Sequence, residues 1–252
     1  MERELFVILS VIIFVILAYG FLSLIFTESR VLPIAFINTS KEIPILNITK
    51  QTAEIKIPAV DNEGNGVVTV LKVDSIPGEG GVLVNINQLL FWVDTQYSIR
   101  TAKKVAGDFT GMDLSDIDLI YTIETNASVI EGPSAGAAIA IATVAVLGNK
   151  TINPNTMITG TINPDSSIGQ VGAIVTKAKA AKDINATLFL VPHGQSIQIS
   201  YKPVKKCEKI GPITYCSVEY EQETINVTET AGIVVKEVSN LQEALKYFIS
   251  SI

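Results

Sequence analysis

Residues 131–136 read Glu131-Gly132-Pro133-Ser134-Ala135-Gly136, and they lead into an apolar run that ends at Leu147. The run carries no charged side chain, and Gly148 follows it, as glycine often follows the last residue of a helix. A helix that is apolar on every side is buried, and this one is too short to cross a bilayer. The stretch therefore predicts a core helix with a serine hydroxyl at its start.

Short strands and helices alternate on both sides of this core helix. The pattern predicts an α/β (α+β) domain in which small mixed sheets pack with helices. We expect strands near residues 55–57, 66–74, 82–86, 117–123, 157–162, 187–191 and 233–238, and further helices at 94–107, 171–183 and 240–248. Residues 197–229 are predicted to form an inserted hairpin or arm.

The N-terminal region predicts a membrane anchor. Residues 5–26 are apolar and uncharged, and as a helix they would span about 33 Å against a hydrocarbon core of about 30 Å. A cleaved secretory signal is the alternative, but its apolar run is shorter and ends at a small-residue cleavage site. We therefore expect one transmembrane helix within residues 1–27, a linker at 28–52 and a folded domain at 53–252.

The side of the membrane is predicted from cysteines and glycosylation-type tripeptides. Cys207 and Cys216 flank a turn at Gly211-Pro212, so a hairpin would bring their thiols within reach of a disulfide; two free apolar thiols are the alternative. Asn-x-Ser/Thr tripeptides occur at Asn38, Asn47, Asn126, Asn149, Asn185 and Asn226. Together these features favour an extracytoplasmic domain on a single-pass anchor, with a cytoplasmic domain as the alternative.

Charge and composition exclude several classes of function. The net charge is −6 and the basic residues are dispersed, so no nucleic-acid partner is expected. One histidine and two cysteines nine positions apart do not form a zinc pattern, and no cofactor is expected. The sequence also carries no Gly-x-x-x-x-Gly-Lys-Ser/Thr phosphate loop, so no ATPase module is predicted.

Ser134 is a candidate nucleophile because of its position before the apolar helix. A helix N-terminus presents unpaired N–H groups and a dipole that favours negative charge, and both can stabilise an oxyanion. Alternatively, Ser134 is only a helix cap, since serine is among the best capping residues. A catalytic role requires a base, because a serine hydroxyl is a weak nucleophile by itself.

Two residues are candidates for that base. The Gly-x-Ser-x-Gly pattern at 132–136, followed by Asp165 or Asp183 and then His193, has the order of a Ser-His-Asp hydrolase. The short separation between Ser134 and His193 argues against that fold. The other candidate is Lys177.

Lys177 is predicted to lie on the apolar face of its helix, whereas Lys179 lies on a polar face. The residues three and four positions from Lys177 are Ile174, Ala180 and Ala181. Desolvation lowers a lysine pKa, and an amine with a pKa near 7–8 can accept a proton from serine. Periodicity alone does not pair Lys177 with Ser134.

Several spaced motifs resemble the proteolytic domain of the Lon protease family. Residues 131–136 are similar to its Asp-Gly-Pro-Ser-Ala-Gly nucleophile motif, and 157–160 to its Met-Thr-Gly strand. Residues 171–177 resemble the segment that carries its catalytic lysine. The resemblance covers about 54–195 and 233–250 and departs at two sites. Thr161 stands where the family usually has Glu, and Gly172-Ala173 stands where it has Gly-Gly.

The resemblance implies roles for individual residues. Ser134 would be the nucleophile, Lys177 the general base and Thr159 a hydrogen-bond partner that orients the lysine. Glu131, at the position where the family often has Asp, would either pair with Lys177 or cap the helix. The remaining residues of the nucleophile motif that we expect to shape the site are Gly132, Pro133 and Ala135.

Taken together, the chain looks like an archaeal-like, membrane-anchored form of the Lon family without an ATPase module. It would be a serine endopeptidase for peptides or unfolded proteins, with homo-oligomerisation implied by the family. The alternatives are a Ser-His-Asp hydrolase that uses His193, and a catalytically silent, membrane-tethered interaction domain.

Overall fold

The computed structural model describes residues 16–17, 50–85, 93–124 and 132–249. Ile16 and Leu17 are helical and exposed, and the rest of the expected anchor at 5–26 lies outside the described residues. Within the described ranges, no helix combines the length and the apolar character that a membrane crossing requires. The chain divides into two units, residues 1–46 and residues 47–252, and the second unit contains the sheets and the candidate site.

The first sheet has four strands in the order β1-β2-β4-β3. All neighbours are antiparallel except β3 and β4, which run parallel. Every second residue of β1 from Ala53 to Ala59 is buried, as the alternation of an amphipathic strand predicts. The elements of this part are β1 (Gln51–Val60), β2 (Gly66–Pro77), β3 (Val82–Val84), α1 (Val93–Thr110) and β4 (Ile117–Glu124).

The central helix α2 (Gly136–Leu147) is buried from Gly136 through Val146. It packs against α1, β1 and β2 and against the last helix, α5 (Leu241–Phe248). Its lack of an outward polar face follows from this position, because the sheet and other helices enclose it. The helix begins two residues after Ser134, which lies instead in a short 3-10 turn, Pro133–Ala135.

The second sheet is parallel, in the order β11-β8-β5. Helix α3 packs on β8 and also contacts β1 and β2. These elements are β5 (Thr156–Ile158), α3 (Ile174–Asp183), β8 (Leu188–Pro192) and β11 (Val234–Val238). Both sheets are small and helices cover them, so the mixed α/β architecture expected from the sequence is observed.

The strand expected at 157–162 is interrupted at Thr159 and Gly160. The residues on either side belong to different sheets, because β6 (Thr161–Ile162) pairs with β7 (Ile168–Gly169) rather than with β8. The Gly160 N–H donates to the carbonyl of Ser134, and the Gly160 carbonyl accepts from the Ala137 N–H. The backbone of Gly160 thus holds the serine turn instead of continuing a sheet ladder.

A long antiparallel hairpin projects between β8 and β11. Its strands are β9 (Ile197–Ile210) and β10 (Ile213–Asn226), joined by a turn in which Gly211 has a φ of 61°. Most of its residues are exposed. The hairpin is shorter than the expected 197–229, because Asn226 caps the short helix α4 (Val227–Ala231) by accepting from the N–H of Glu229.

Candidate active site

The Lys177 ammonium nitrogen and the Ser134 hydroxyl lie in direct contact. The distance from Lys177 Nζ to Ser134 Oγ is 2.9 Å, which is a hydrogen bond between side chains 43 positions apart in the sequence. Lys177 Nζ also lies 3.4 Å from Thr159 Oγ1. Ser134 is half-buried, whereas Thr159 and Lys177 are only 1% and 5% exposed. The amine is therefore enclosed, and the hydroxyl lies where a substrate could reach it.

The serine turn is held by backbone geometry. Gly132 has a φ of 97°, a backbone conformation that residues with a Cβ rarely adopt, and Pro133 then begins the 3-10 turn. A Cβ on Gly136 would lie 2.7 Å from the Ile162 nitrogen, so this glycine permits close packing of the turn on β6. These contacts fix the Ser134 hydroxyl at the start of α2.

Helix α3 brings Lys177 to the serine. Its buried residues include Ile174, Ala180 and Ala181 beside Lys177, whereas Lys179 is exposed. Burial lowers the pKa of Lys177 from 10.5 to about 8, because the charged ammonium loses its hydration. At this pKa about a tenth to a fifth of the population carries a neutral amine near neutral pH, the form that a general base requires.

Thr159 joins the lysine to the serine turn. Its hydroxyl donates to the Ser134 carbonyl over 3.4 Å, and its backbone N–H donates to the Leu190 carbonyl of β8 over 3.1 Å. The second sheet therefore determines where this hydroxyl sits. Thr159 is also a buried residue between two strands, and its proximity to the amine is what marks it as part of the site.

The residues of the alternative triad lie elsewhere. The side chain of His193 is 79% exposed, and Glu237, rather than Ser134, contacts its imidazole at 3.2 Å from Nδ1. Asp165 accepts hydrogen bonds from Ser167, and Asp183 is exposed at the last position of α3. Glu131, the remaining expected member of the site, lies outside the described residues.

Sequence reasoning missed two polar residues, one that contacts His193 and one that binds the segment before the lysine helix. Glu237 accepts from the backbone and hydroxyl of Ser196, and these bonds, with that from the Gly194 N–H, lower its pKa to about 2. Gln195 is buried and binds the segment before α3. Neither belongs to a motif, and the available signal for Gln195 was a polar residue soon after the strand end at Pro192.

Comparison with known proteins identifies the domain. The family described as the Lon protease (S16) C-terminal proteolytic domain matches residues 95–230, more than half of the chain. The chain belongs to this family. A Lon protease of Fervidobacterium nodosum is 27% identical over 139 residues, covering 54% of this chain and 17% of the relative. A Lon protease of Borrelia duttonii is 29% identical over 82 residues, covering 32% of this chain and 10% of the relative.

Membership in the Lon proteolytic family implies a serine peptidase, a hydrolase whose substrates are peptides or proteins. The matched regions span less than a fifth of either Lon relative. One departure from the Lon motifs lies just before the lysine helix. Ala173 has a φ of 57°, a left-handed conformation that glycine adopts without strain, so a glycine is the easier residue there.

Cys207 and Cys216 are directly opposed in the register of the hairpin, and the structure has a disulfide between them. This bond lies within the hairpin, which begins a few residues after His193.

Proposed function

We propose that the chain is an ATP-independent serine endopeptidase in which Lys177 acts as the general base for Ser134. The observation that carries this proposal is the 2.9 Å contact between a buried amine of lowered pKa and a hydroxyl at the start of a buried helix. A neutral amine accepts the hydroxyl proton at this distance. An exposed lysine would be almost fully protonated at neutral pH and could not do so.

The reaction follows from this geometry. Ser134 Oγ attacks the carbonyl carbon of the scissile bond while its proton passes to Lys177 Nζ. Lys177 then returns the proton to the departing amine nitrogen, which breaks the peptide bond and leaves an ester on Ser134. Lys177 then takes a proton from a water that attacks that ester, and it passes this proton to Ser134 Oγ as the acid is released, which restores the free hydroxyl and the neutral amine. Thr159 holds Nζ in line through both steps, since its hydroxyl is within 3.4 Å of the amine.

Backbone amides at the serine turn are proposed to stabilise the oxyanion. The Gly136 N–H donates to the Pro133 carbonyl, and the Ala137 N–H donates to Gly160. We therefore assign the oxyanion contacts to the amides of Ser134 and Ala135, which precede them in the turn. Hydrogen bonds to developing negative charge are worth several kcal/mol in such a site.

The setting of this activity is proposed from the sequence. Residues 1–27 would anchor the chain in a membrane, 28–52 would link the anchor to the enzyme, and 53–252 would form the protease domain. A bonded cysteine pair in the hairpin supports an extracytoplasmic domain. Without a phosphate-loop motif in this sequence, the substrates we propose are peptides and unfolded proteins. Self-association into a homo-oligomer is part of the same proposal.

Cleavage of an unfolded protein such as casein, without ATP, tests the proposed function. The wild-type chain should cleave it, whereas Ser134→Ala and Lys177→Ala should not. Lys179→Ala is the matched control, because this lysine lies on the same helix but is exposed. Activity that survives in Lys177→Ala and disappears in His193→Ala would instead support the Ser-His hydrolase. No cleavage by the folded wild-type chain would support the silent interaction domain.

A further inference from the structure

Gln195 forms a two-point clamp on the backbone before helix α3. The residue falls between β8 and β9 in the sequence and is only 9% exposed. Nε2 donates to the Val171 carbonyl over 2.8 Å, and Oε1 accepts from the Val171 N–H over 3.0 Å. One amide side chain thus satisfies both backbone groups of Val171, as a neighbouring strand would do.

The clamped residue lies just before the lysine helix. Val171 is followed by Gly172 and Ala173, which are both exposed, and Ala173 holds a left-handed conformation. The Ala173 carbonyl accepts the N–H of Lys177 over 3.0 Å and so begins the first turn of α3. Val171 packs against the apolar cluster that includes Phe189, whereas Gly172 and Ala173 are exposed. Gln195 therefore adds a backbone anchor at the end of the junction opposite to the helix.

Gln195 and Thr159 are both hydrogen-bonded to the same strand, β8. The N–H of Gln195 donates to the Pro192 carbonyl at the end of β8 over 3.1 Å. Thr159 is bound to the Leu190 carbonyl of that strand. The lysine helix and the threonine that contacts its amine are therefore located relative to one element, which helps to set the distance from Nζ to Ser134.

We propose that Gln195 is a positioning residue for Lys177, acting through the backbone of Val171. Only the activity measurement below depends on the proposed function, whereas the titration of the Lys177 amine does not. Loss of the clamp releases the backbone of Val171, which loosens the junction at 171–173, lets α3 shift and admits water to the amine. A small misplacement of a reacting group is enough to reduce a rate on the order of 10- to 100-fold.

Gln195→Met tests the clamp, because it keeps the length of the side chain and removes both hydrogen bonds. Gln195→Asn is a second variant that keeps the amide but shortens its reach, and it serves if the methionine variant does not fold. Tyr121→Phe is the control for a buried hydrogen bond lost elsewhere, since the Tyr121 hydroxyl bonds Thr143 in the main core. Thermal unfolding of each full-length variant shows which are folded.

The deciding readout is the pH at which the Lys177 amine reacts half-maximally with acetic anhydride, followed by peptide mass spectrometry. Ser134 and Thr159 are the hydrogen-bond partners of this amine, and burial is the cause of its lowered pKa. In the wild-type chain we expect half-reaction near pH 8. We expect it at higher pH in the Gln195 variants and at an unchanged pH in Tyr121→Phe.

Casein cleavage provides the second readout. We expect kcat at pH 7 to fall by about 10- to 100-fold in Gln195→Met with little change in KM. Unchanged amine titration in folded Gln195 variants would overturn the inference. A wild-type chain that titrates near pH 8 but cleaves nothing would refute the proposed function instead, and the shift in the Gln195 variants would still decide the clamp.

Discussion

Lys177 and His193 are both candidate general bases, but one is buried and the other is exposed. Lys177 is 5% exposed and contacts Ser134, whereas the His193 side chain is 79% exposed and contacts Glu237. By residue type alone, histidine is the better base, because its ordinary pKa is near 6.5 and that of lysine is near 10.4. Under the proposed function, burial, which brings the pKa of Lys177 to about 8, together with contact to the hydroxyl, decides which residue acts as the base for Ser134.

The largest expected effect separates the two candidates by substitution. Lys177→Arg keeps the positive charge but cannot supply a neutral amine, since an arginine remains protonated in proteins. We expect casein cleavage to fall by at least about 1,000-fold, which is typical for the loss of a general base that activates a nucleophile. His193→Ala should cleave at the wild-type rate. Equal losses in the two variants would remove the distinction between them.

The second expected effect concerns stability. Because the pKa of Lys177 falls from 10.5 in the unfolded chain to about 8, the folded state binds that proton less tightly. The penalty is complete below pH 8 and disappears as the pH rises to 10.5. Lys177→Met should therefore increase the free energy of unfolding by about 3 kcal/mol at pH 7. Urea unfolding at pH 7 and pH 10 checks this, and an equal difference at both values would contradict it.

The third expected effect concerns Thr159, which contacts the amine and in the proposed mechanism does not exchange the proton. Thr159→Val has a similar shape and removes the hydroxyl. We expect kcat to fall about tenfold, the equivalent of one hydrogen bond of about 1.4 kcal/mol. Thr143→Val serves as a control for a threonine hydroxyl lost inside the core. A Thr159→Val enzyme with full activity would show that the hydroxyl does not orient Lys177.

The smallest expected effect completes the comparison on the His193 side. The pair of His193 and Glu237 is exposed at the histidine, so solvent screens it. We expect His193→Ala to change the free energy of unfolding by less than about 0.5 kcal/mol. Urea unfolding of His193→Ala in the buffer used for Lys177→Met measures this change. A change in the free energy of unfolding as large as that of the lysine variant would show that the exposure of the two residues does not determine their effects on stability.

The sequence predicted what depends on local periodicity. The apolar run before Leu147 indicated a buried helix, and α2 is buried along nearly its whole length. The neighbours of Lys177 indicated an inward-facing side chain and those of Lys179 an outward-facing one, as the structure has them. Both inferences used residues within one or two turns of each other, which is the range over which a helix repeats.

What periodicity could not predict depends on distant contacts and on single backbone conformations. Helix α3 begins at Ile174 rather than at 171, because Ala173 adopts a left-handed conformation. The presence of an alanine does not predict this conformation. The backbone of Gly160 turns from one sheet to another because it binds the serine turn. The amide of Gln195 reaches a backbone 24 positions away, and no spacing rule connects the two.

The rate at which a fluorophosphonate labels Ser134, measured as a function of pH, tests most directly whether a buried amine activates this hydroxyl. Mass spectrometry locates the adduct. We predict an adduct on Ser134 whose rate of formation rises with pH to a half-maximum near 8, persists in His193→Ala and is lost in Lys177→Met. Labelling of Ser134 in Lys177→Met at the wild-type rate and with the wild-type pH dependence would contradict the account.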